Sequence, residues 1–178
     1  IVSKDASLGT GKATFATGTE LETSAAVTLA NQVDLAGNTT LHSLANNSTL
    51  NGVVSGAGSL TKDGTGSVTL NGVNTYSGGT NINAGKAIVS TDAALGTGKA
   101  TFAMGTELET SAAVTLANQV DLAGNTTLHS LANNSTLNGV VSGAGSLTKD
   151  GTGSVTLNGV NTYSGGTNIN AGKAIVSK

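Results

Sequence analysis

The stretch "NGVNTYSGGTNINAGKAIVS" occupies residues 71–90 and returns letter for letter at residues 158–177, 87 positions later. Aligned at this offset, residues 1–87 and 88–174 differ only where Lys4, Ser7 and Thr17 of the first copy become Thr91, Ala94 and Met104. Tandem repetition at a fixed period is typical of solenoids and related repeat architectures. The sequence therefore predicts a structure built by stacking equivalent units.

The repeat divides the chain into three parts. Residues 1–87 are a first solenoid copy, residues 88–174 a second, and residues 175–178 the start of a third. Lys178 matches Lys4 of the first copy and not Thr91 of the second, which indicates that the next copy begins like the first. Because solenoid ends normally need capping and no cap is evident, we expect a piece of a longer repeat array.

Composition excludes several classes of function. The chain has no Cys, Pro or Trp, carries 26 Gly, and has a net charge of −2 from scattered lysines and acidic residues. Disulfides and thiolate metal sites are therefore excluded, and the lack of a basic patch argues against a nucleic-acid partner. No apolar run approaches the roughly 20 residues of a membrane-spanning helix. The 37% hydrophobic content favours an ordered chain over a disordered one.

Short segments of alternating apolar and polar residues recur between the glycine-rich turns "DGTG", "SGAG", "YSGG" and "NAGK". Such alternation predicts half-buried strands. Residues 20–36 contain no Gly and end at Gly37, so a helix there stays an alternative, although their Val and Thr content favours strand. The predicted strands lie within residues 13–16, 19–24, 26–37, 38–44, 59–62, 67–72 and 80–83.

A shorter period is present inside the repeat. Apolar pairs centre near Val68, Ile88, Leu108 and Leu128, 20 residues apart, and the series restarts at Val155. This spacing predicts about four coils of roughly 22 residues per repeat, and eight coils would form a rod about 40 Å long. One coil satisfies its backbone hydrogen bonds only by pairing with the coils on either side, so identical copies are well matched to each other.

A family pattern covers residues 56–98, "GAGSLTKDGTGSVTLNGVNTYSGGTNINAGKAIVSTDAALGTG", and returns over residues 143–174. This run resembles the passenger-associated strand repeat of bacterial autotransporters. The resemblance implies an all-β, right-handed parallel β-helix, exported by the type V route and displayed at or shed from the bacterial cell surface. The residues that fit the pattern are Leu60, Lys62, Gly64, Gly66, Val68, Leu70, Asn74, Thr75, Tyr76, Gly78, Gly79, Thr80, Ile82, Gly85, Leu95 and Gly96.

The sequence offers few candidates for catalysis. His42 and His129 are the only histidines; Ser43 follows the first, and no acidic residue lies within four positions. A serine nucleophile needs a base that a third group orients, so solvent-facing strand histidines are the better interpretation. Glu20 and Glu22, repeated as Glu107 and Glu109, share a strand face and could act as an acid and base on a polysaccharide. Solvation of an outward face is favoured instead.

The remaining motifs also favour structural roles. Asp63 and Asp150 lie in "TKDGTG", which lacks the further oxygen ligands of a calcium loop and predicts a plain Asp–Gly turn. Tyr76 and Tyr163 could stack on a sugar, but a corner-packing role is favoured. The segment "SGGTNINAG" lacks the helix and the Lys-Ser/Thr of a phosphate loop. The asparagines, which could bond from coil to coil or to another rod, include Asn31, Asn46, Asn47, Asn51, Asn71, Asn74, Asn81 and Asn83.

These observations predict a structural or adhesive extracellular rod with no catalytic, metal or cofactor site. Its expected partners are further copies of the same repeat, by stacking or by lateral or end-to-end self-association. A cell-surface or matrix polysaccharide stays open as a further partner. Three alternatives stay open: a functional-amyloid fibre subunit, a polysaccharide-active β-helix enzyme, and an ice-binding solenoid. The amyloid pattern needs regularly spaced Gln and Asn, and the chain has only Gln32 and Gln119. An ice-binding face needs a Thr-x-Thr array, and "NTT", "VTL" and "STL" do not keep register.

Overall fold

The computed structural model describes residues 1–177, and its regular secondary structure over that range consists of 22 strands without a helix. The alternative helix over residues 20–36 is wrong, since β2, β3 and β4 occupy it. No helix among the described residues is long and apolar enough to cross a membrane. Lys178, which indicates that the next copy begins like the first, lies outside the described residues.

Eleven strands begin in each copy, and the last strand of each continues two residues past the copy boundary. The first copy contains β1 (Ala13–Phe15), β2 (Thr19–Thr23), β3 (Val27–Leu29), β4 (Val33–Leu35), β5 (Thr39–Ser43), β6 (Ser48–Leu50), β7 (Val54–Ser55), β8 (Leu60–Asp63), β9 (Ser67–Leu70), β10 (Thr80–Ile82) and β11 (Lys86–Val89). The second contains β12 (Ala100–Phe102), β13 (Glu107–Thr110), β14 (Thr115–Leu116), β15 (Val120–Leu122), β16 (Thr126–Ser130), β17 (Ser135–Leu137), β18 (Val141–Ser142), β19 (Leu147–Asp150), β20 (Ser154–Leu157), β21 (Thr167–Ile169) and β22 (Lys173–Val176).

All strand pairs are parallel, and the chain winds around three faces. The first face holds β2, β5, β8, β10, β12, β15 and β18; the second holds β3, β6, β9, β11, β13, β16, β19 and β21. The third face holds β1, β4 and β7 at one end and β14, β17, β20 and β22 at the other. Irregular backbone joins these two groups, with Thr75 N donating to Val54 O and Thr97 N to Tyr76 O. The structure is the predicted parallel β-solenoid, and its right-handed winding stays a prediction.

Neighbouring coils are offset by about 20 residues, as in the series Lys62, Ile82, Phe102 and Leu122 on the first face. The predicted series is wrong in two places. Ala87 and not Ile88 pairs with Val68, because the strand alternation of β11 turns Ala87 and Val89 inward. Leu128 is followed by Lys149, while Val155 lies on the third face.

Because 87 residues exceed four coils of about 20, equivalent strands of the two copies lie on different faces. β8 lies on the first face and its equivalent β19 on the second; β9 lies on the second and its equivalent β20 on the third. One repeat therefore spans four coils and one further face. The predicted four coils per repeat and eight coils in all are confirmed as approximate counts.

The interior is a narrow column of Leu, Val, Ile and Ala side chains, with Phe102 and Tyr76 as its largest aromatic members. Residues 26–37 form two strands on two faces and not the single strand predicted. Asn31, buried between them, donates to Gly9 O and Gly11 O of the preceding coil and so holds the corner. β6, β7 and β11 lie outside the predicted strands, because two to four residues carry too short an alternation to identify.

Glycines allow the coils to approach closely at another corner. A Cβ atom on Gly58 would lie 2.0 Å from Gly37 O, and one on Gly78 would lie 2.4 Å from Gly58 C. Real Cβ atoms do not approach backbone so closely. Only glycine therefore fits this stacked position.

Candidate functional surfaces and buried polar sites

The histidines and serines that the sequence places side by side lie on opposite sides of their strands. His42 faces outward, 3.4 Å from Glu20 Oε1 of the preceding coil, whereas Ser43 is fully buried and donates to Ser48 Oγ. His129 likewise lies 3.6 Å from Glu107 Oε1. Coil stacking supplies an acidic neighbour that the local sequence lacks, but the buried serine cannot reach the histidine.

The paired glutamates form an ion cluster between the two copies. Lys86 Nζ of the first copy lies 3.0 Å from Glu107 Oε1 and 2.7 Å from Glu109 Oε2 of the second. Burial by itself would lower the pKa of Lys86, but hydrogen bonds to Glu109 and Glu107 outweigh it and raise that pKa. Both carboxylates contact one ammonium group, which suits an ion pair between coils better than an acid and base pair.

The Asp–Gly turns have the geometry that the sequence predicts. Asp63 Oδ1 accepts a hydrogen bond from Gly64 N at 2.7 Å, and Gly64 has φ +78°. Asp150 and Gly151 repeat this arrangement at 2.8 Å and +77°. Over residues 1–177, no group of three or more His, Asp or Glu side chains is placed to hold a metal ion.

Tyr76 packs inside a corner, as predicted. Its ring is fully buried, and its hydroxyl lies 2.6 Å from Thr80 Oγ1, which donates to Leu95 O. Burial raises the pKa of Tyr76, and the Thr80 hydrogen bond opposes the rise. Tyr163 keeps the equivalent contact with Thr167 at 2.6 Å but is only partly buried.

This difference gives a matched pair of substitutions. Tyr76→Phe should lower the free energy of unfolding by about 1–2 kcal/mol, because Thr80 loses a buried partner. Tyr163→Phe removes the same hydroxyl from an exposed position, where water replaces it, and should change stability by less than about 0.5 kcal/mol. Chemical denaturation followed by circular dichroism measures both, and equal losses would contradict a role for burial.

A buried lysine is the site that the sequence reasoning missed. Lys62 is 0% exposed and points into the core between Leu41 and Ile82. Its ammonium group donates to Asp63 O at 2.9 Å, Gly64 O at 2.6 Å and Ala84 O at 3.2 Å. An ammonium group has three donors, so all three are used. Inward-facing Leu60, two positions earlier in the strand, was the signal that could have identified Lys62 as buried.

Lys149 repeats the site in the second copy. It is 1% exposed and donates to Asp150 O, Gly151 O and Ala171 O at 2.5, 2.8 and 3.3 Å. In both copies the ammonium group joins the Asp–Gly turn to the next coil. Burial lowers the pKa of Lys62 to about 8 and also lowers that of Lys149, with the neighbouring aspartates opposing the shift.

The lowered pKa of Lys62 predicts that stability rises with pH. The folded chain releases the proton near pH 8 and the unfolded chain only near 10.5, so the unfolded state binds more protons between these values. We expect the free energy of unfolding to increase by about 2 kcal/mol from pH 8 to pH 10. Above pH 10 the trend should reverse, because Tyr76 ionises more readily in the unfolded chain.

Denaturation curves at half-unit pH intervals test this expectation. The double variant Lys62→Met/Lys149→Met should lose most of the rise and keep the decline above pH 10. A rise that persists in the double variant would assign it to other groups.

Asparagine ladders run up the outside of the rod, as predicted. Asn71 Nδ2 donates to Asn51 Oδ1 at 2.8 Å, and Ser90 Oγ donates to Asn71 Oδ1 at 2.8 Å. In the second copy, Asn158 Nδ2 donates to Asn138 Oδ1 at 2.7 Å. The side chains bond from coil to coil while they stay exposed to solvent.

Threonines also align, contrary to the expectation that they lose register. Thr28, Thr49 and Thr69 stack on consecutive coils of the second face, and Thr115, Thr136 and Thr156 do so on the third. Each series has one threonine per coil, since the outward position two residues later holds alanine or asparagine. This is a single column and not the Thr-x-Thr array of the ice-binding hypothesis.

Comparison with known proteins identifies the segments that carry the buried lysines and tyrosines. Residues 60–86 and 147–173 each match the family model of the passenger-associated-transport-repeat. The chain contains autotransporter passenger repeats. Each matched segment of the passenger repeat runs from β8 to the start of β11, or from β19 to the start of β22. It therefore includes the lysine site, the tyrosine corner and the Asp–Gly turn.

A search of known proteins found one similar to the passenger repeats. The chain is 36% identical over 139 residues to the adhesin BmaC autotransporter of Brucella suis biovar 1 (strain 1330). The match covers 70% of this chain and 4% of that relative, so the chain corresponds to a small part of its length. No solved structure matches the chain.

Proposed function

We propose that these passenger repeats form part of the extracellular rod of an adhesin-like autotransporter, displayed at the bacterial cell surface, where they act as a structural stalk. The observation that carries the proposal is parallel pairing from coil to coil on three faces, which continues across the boundary between copies. Lys86 adds an ion pair across the same boundary. The similarity to a named adhesin supports the surface role.

A stalk gains length in proportion to its repeats. At about 4.8 Å per coil, four and one-third coils make each copy add about 21 Å. The interior of packed aliphatic side chains resists bending, because each coil is fixed on three faces by its neighbours. Such a rod would hold an adhesive tip, or its own lateral surfaces, away from the cell.

The length of the rod tests this function directly. Chains with two, four and six copies should lengthen by about 21 Å for each copy added, measured by small-angle scattering and cryo-electron microscopy. The contrary result is a length that does not grow with copy number, or fibres in which short chains join end to end. The second pattern would favour the alternative of a self-assembling subunit.

We expect no polysaccharide-cleaving activity from this segment. Glu107 and Glu109 of the second copy contact Lys86, and the histidines of both copies contact carboxylates of neighbouring coils. These arrangements support roles in joining coils. Its partners, in this proposal, are further copies of the repeat.

A further inference from the structure

One exposed surface of each copy carries no charge and includes two exposed valine side chains. We call it the asparagine–valine patch; it lies at the corner where the second face meets the third. Val53 and Val73 are 38% and 62% exposed there, beside the bonded pair Asn51 and Asn71. The patch comprises Thr49, Asn51, Val53, Thr69, Asn71 and Val73, and its equivalents are Thr136, Asn138, Val140, Thr156, Asn158 and Val160.

The spacing of the patch suits another rod of the same kind. A side-chain amide offers two N–H donors and two acceptor lone pairs, and the ladder uses only part of this capacity. The free groups recur at the coil spacing of about 4.8 Å. A second copy of this chain presents the same uncharged groups at the same spacing, so amides and valines of the two rods can meet in register without burying a charge.

One patch is too small to hold two rods together. The six side chains of one patch would bury ~200 Å² on each rod, or ~400 Å² for the pair. A stable interface needs roughly 1,200 Å². About three patches that face the same partner are therefore required.

The winding of the solenoid decides which patches face the same way. The patch of the first copy follows β6 and β9 on the second face, while its equivalent follows β17 and β20 on the third. Each copy thus turns the patch by one face, about a third of a turn. We infer that the repeats self-associate side by side through patches pointing in three directions, with only every third copy facing a given neighbouring rod.

This inference, which rests on the proposed function as a surface rod, gives a threshold in repeat number. Copies one, four and seven share a direction, so seven copies supply three patches in line. The two-copy chain should stay monomeric at micromolar concentration in sedimentation velocity. Chains extended to seven copies should form side-by-side pairs or bundles, visible by cryo-electron microscopy.

Val73→Lys, made at the equivalent position of chosen copies, tests the direction of the patches. In a seven-copy chain, changing copies one, four and seven should abolish lateral association. Changing copies two, three, five and six should preserve it, although more substitutions are made. Ala45→Lys in copies one, four and seven only adds the same charge at an exposed position on another corner of those copies and should leave association intact.

The inference would be overturned if the two-copy chain dimerised side by side, if seven copies stayed single, or if the number of substitutions mattered and their direction did not. Rod length is measured on the same samples. Length increments of about 21 Å per copy without lateral association would remove this inference and leave the proposed stalk standing. Irregular length would remove the stalk itself.

Discussion

Replacing Lys62 by methionine is expected to lower the free energy of unfolding by about 3 kcal/mol. Methionine keeps most of the aliphatic volume in the core but leaves Asp63 O, Gly64 O and Ala84 O without the ammonium group. A buried charge is itself costly, and hydrophobic replacement of buried ion pairs is often neutral or stabilising. Here three carbonyl acceptors at one corner would lose their donor together, and we expect this loss to dominate.

Lys99→Met is the matched control for the lysine substitution. Lys99 pairs with Asp121 at 2.9 Å, but its side chain is 51% exposed, and surface ion pairs contribute less than about 1 kcal/mol. Urea denaturation of both variants at pH 7 makes the comparison. If Lys62→Met were as stable as the parent chain, the free-energy cost of burying the charge would equal the stabilisation from its hydrogen bonds. The lysine would then not be required at the corner.

Gly98→Ala should destabilise the chain by about 3 kcal/mol or more, because the added methyl group has no space. Its Cβ would lie 2.5 Å from Gly79 N and 2.6 Å from Ser77 O, both on the preceding coil. Backbone cannot move aside without breaking the pairing of that coil. The expected result is a large fall in the denaturation midpoint of the Gly98→Ala variant.

Gly11→Ala makes the same change at the equivalent position of the first copy. No atom lies within 4 Å of a Cβ on Gly11, and glycine to alanine at an unstrained site is neutral or stabilising by up to about 1 kcal/mol. The local sequence is the same around both glycines. Thermal and urea denaturation of the two variants therefore separate the effect of the contact between coils on stability from the effect of the local sequence. Equal effects would mean that the local turn, and not the stacking of coils, needs glycine.

Much of the fold follows from local sequence. The period of 87, the alternation of apolar residues and the glycine-rich turns predict an all-β solenoid of about eight coils, and the structure confirms it. Tyr76 as a corner residue and the asparagine bonds between coils were also predicted. Each of these depends on short-range patterning or on a repeated motif, which one sequence displays directly.

The buried lysine and the charged clusters depend on what lies one coil away. Lys62 and Asp63 are adjacent in the chain, yet one faces the core and the other the solvent side, and only the strand register separates them. His42 meets Glu20 because a coil of about 20 residues places them together. The spacing of apolar residues predicts Ile88 where Ala87 pairs with Val68, and in a strand a shift of one residue exchanges the inside for the outside.

The sequence by itself determined the repeat, the strand content and the stacking of equivalent coils, because alternation and periodicity are local properties. Only the tertiary structure decided how many residues close one coil, and hence that 87 residues advance each motif by one face. The physical reason is that the corners depend on the coil beside them: Asn31 bonds to Gly9 O of the preceding coil, and Gly58 stacks closely on Gly37. Identical repeat units make identical contacts between coils, but the corners decide on which face of the solenoid the equivalent residues of each copy lie.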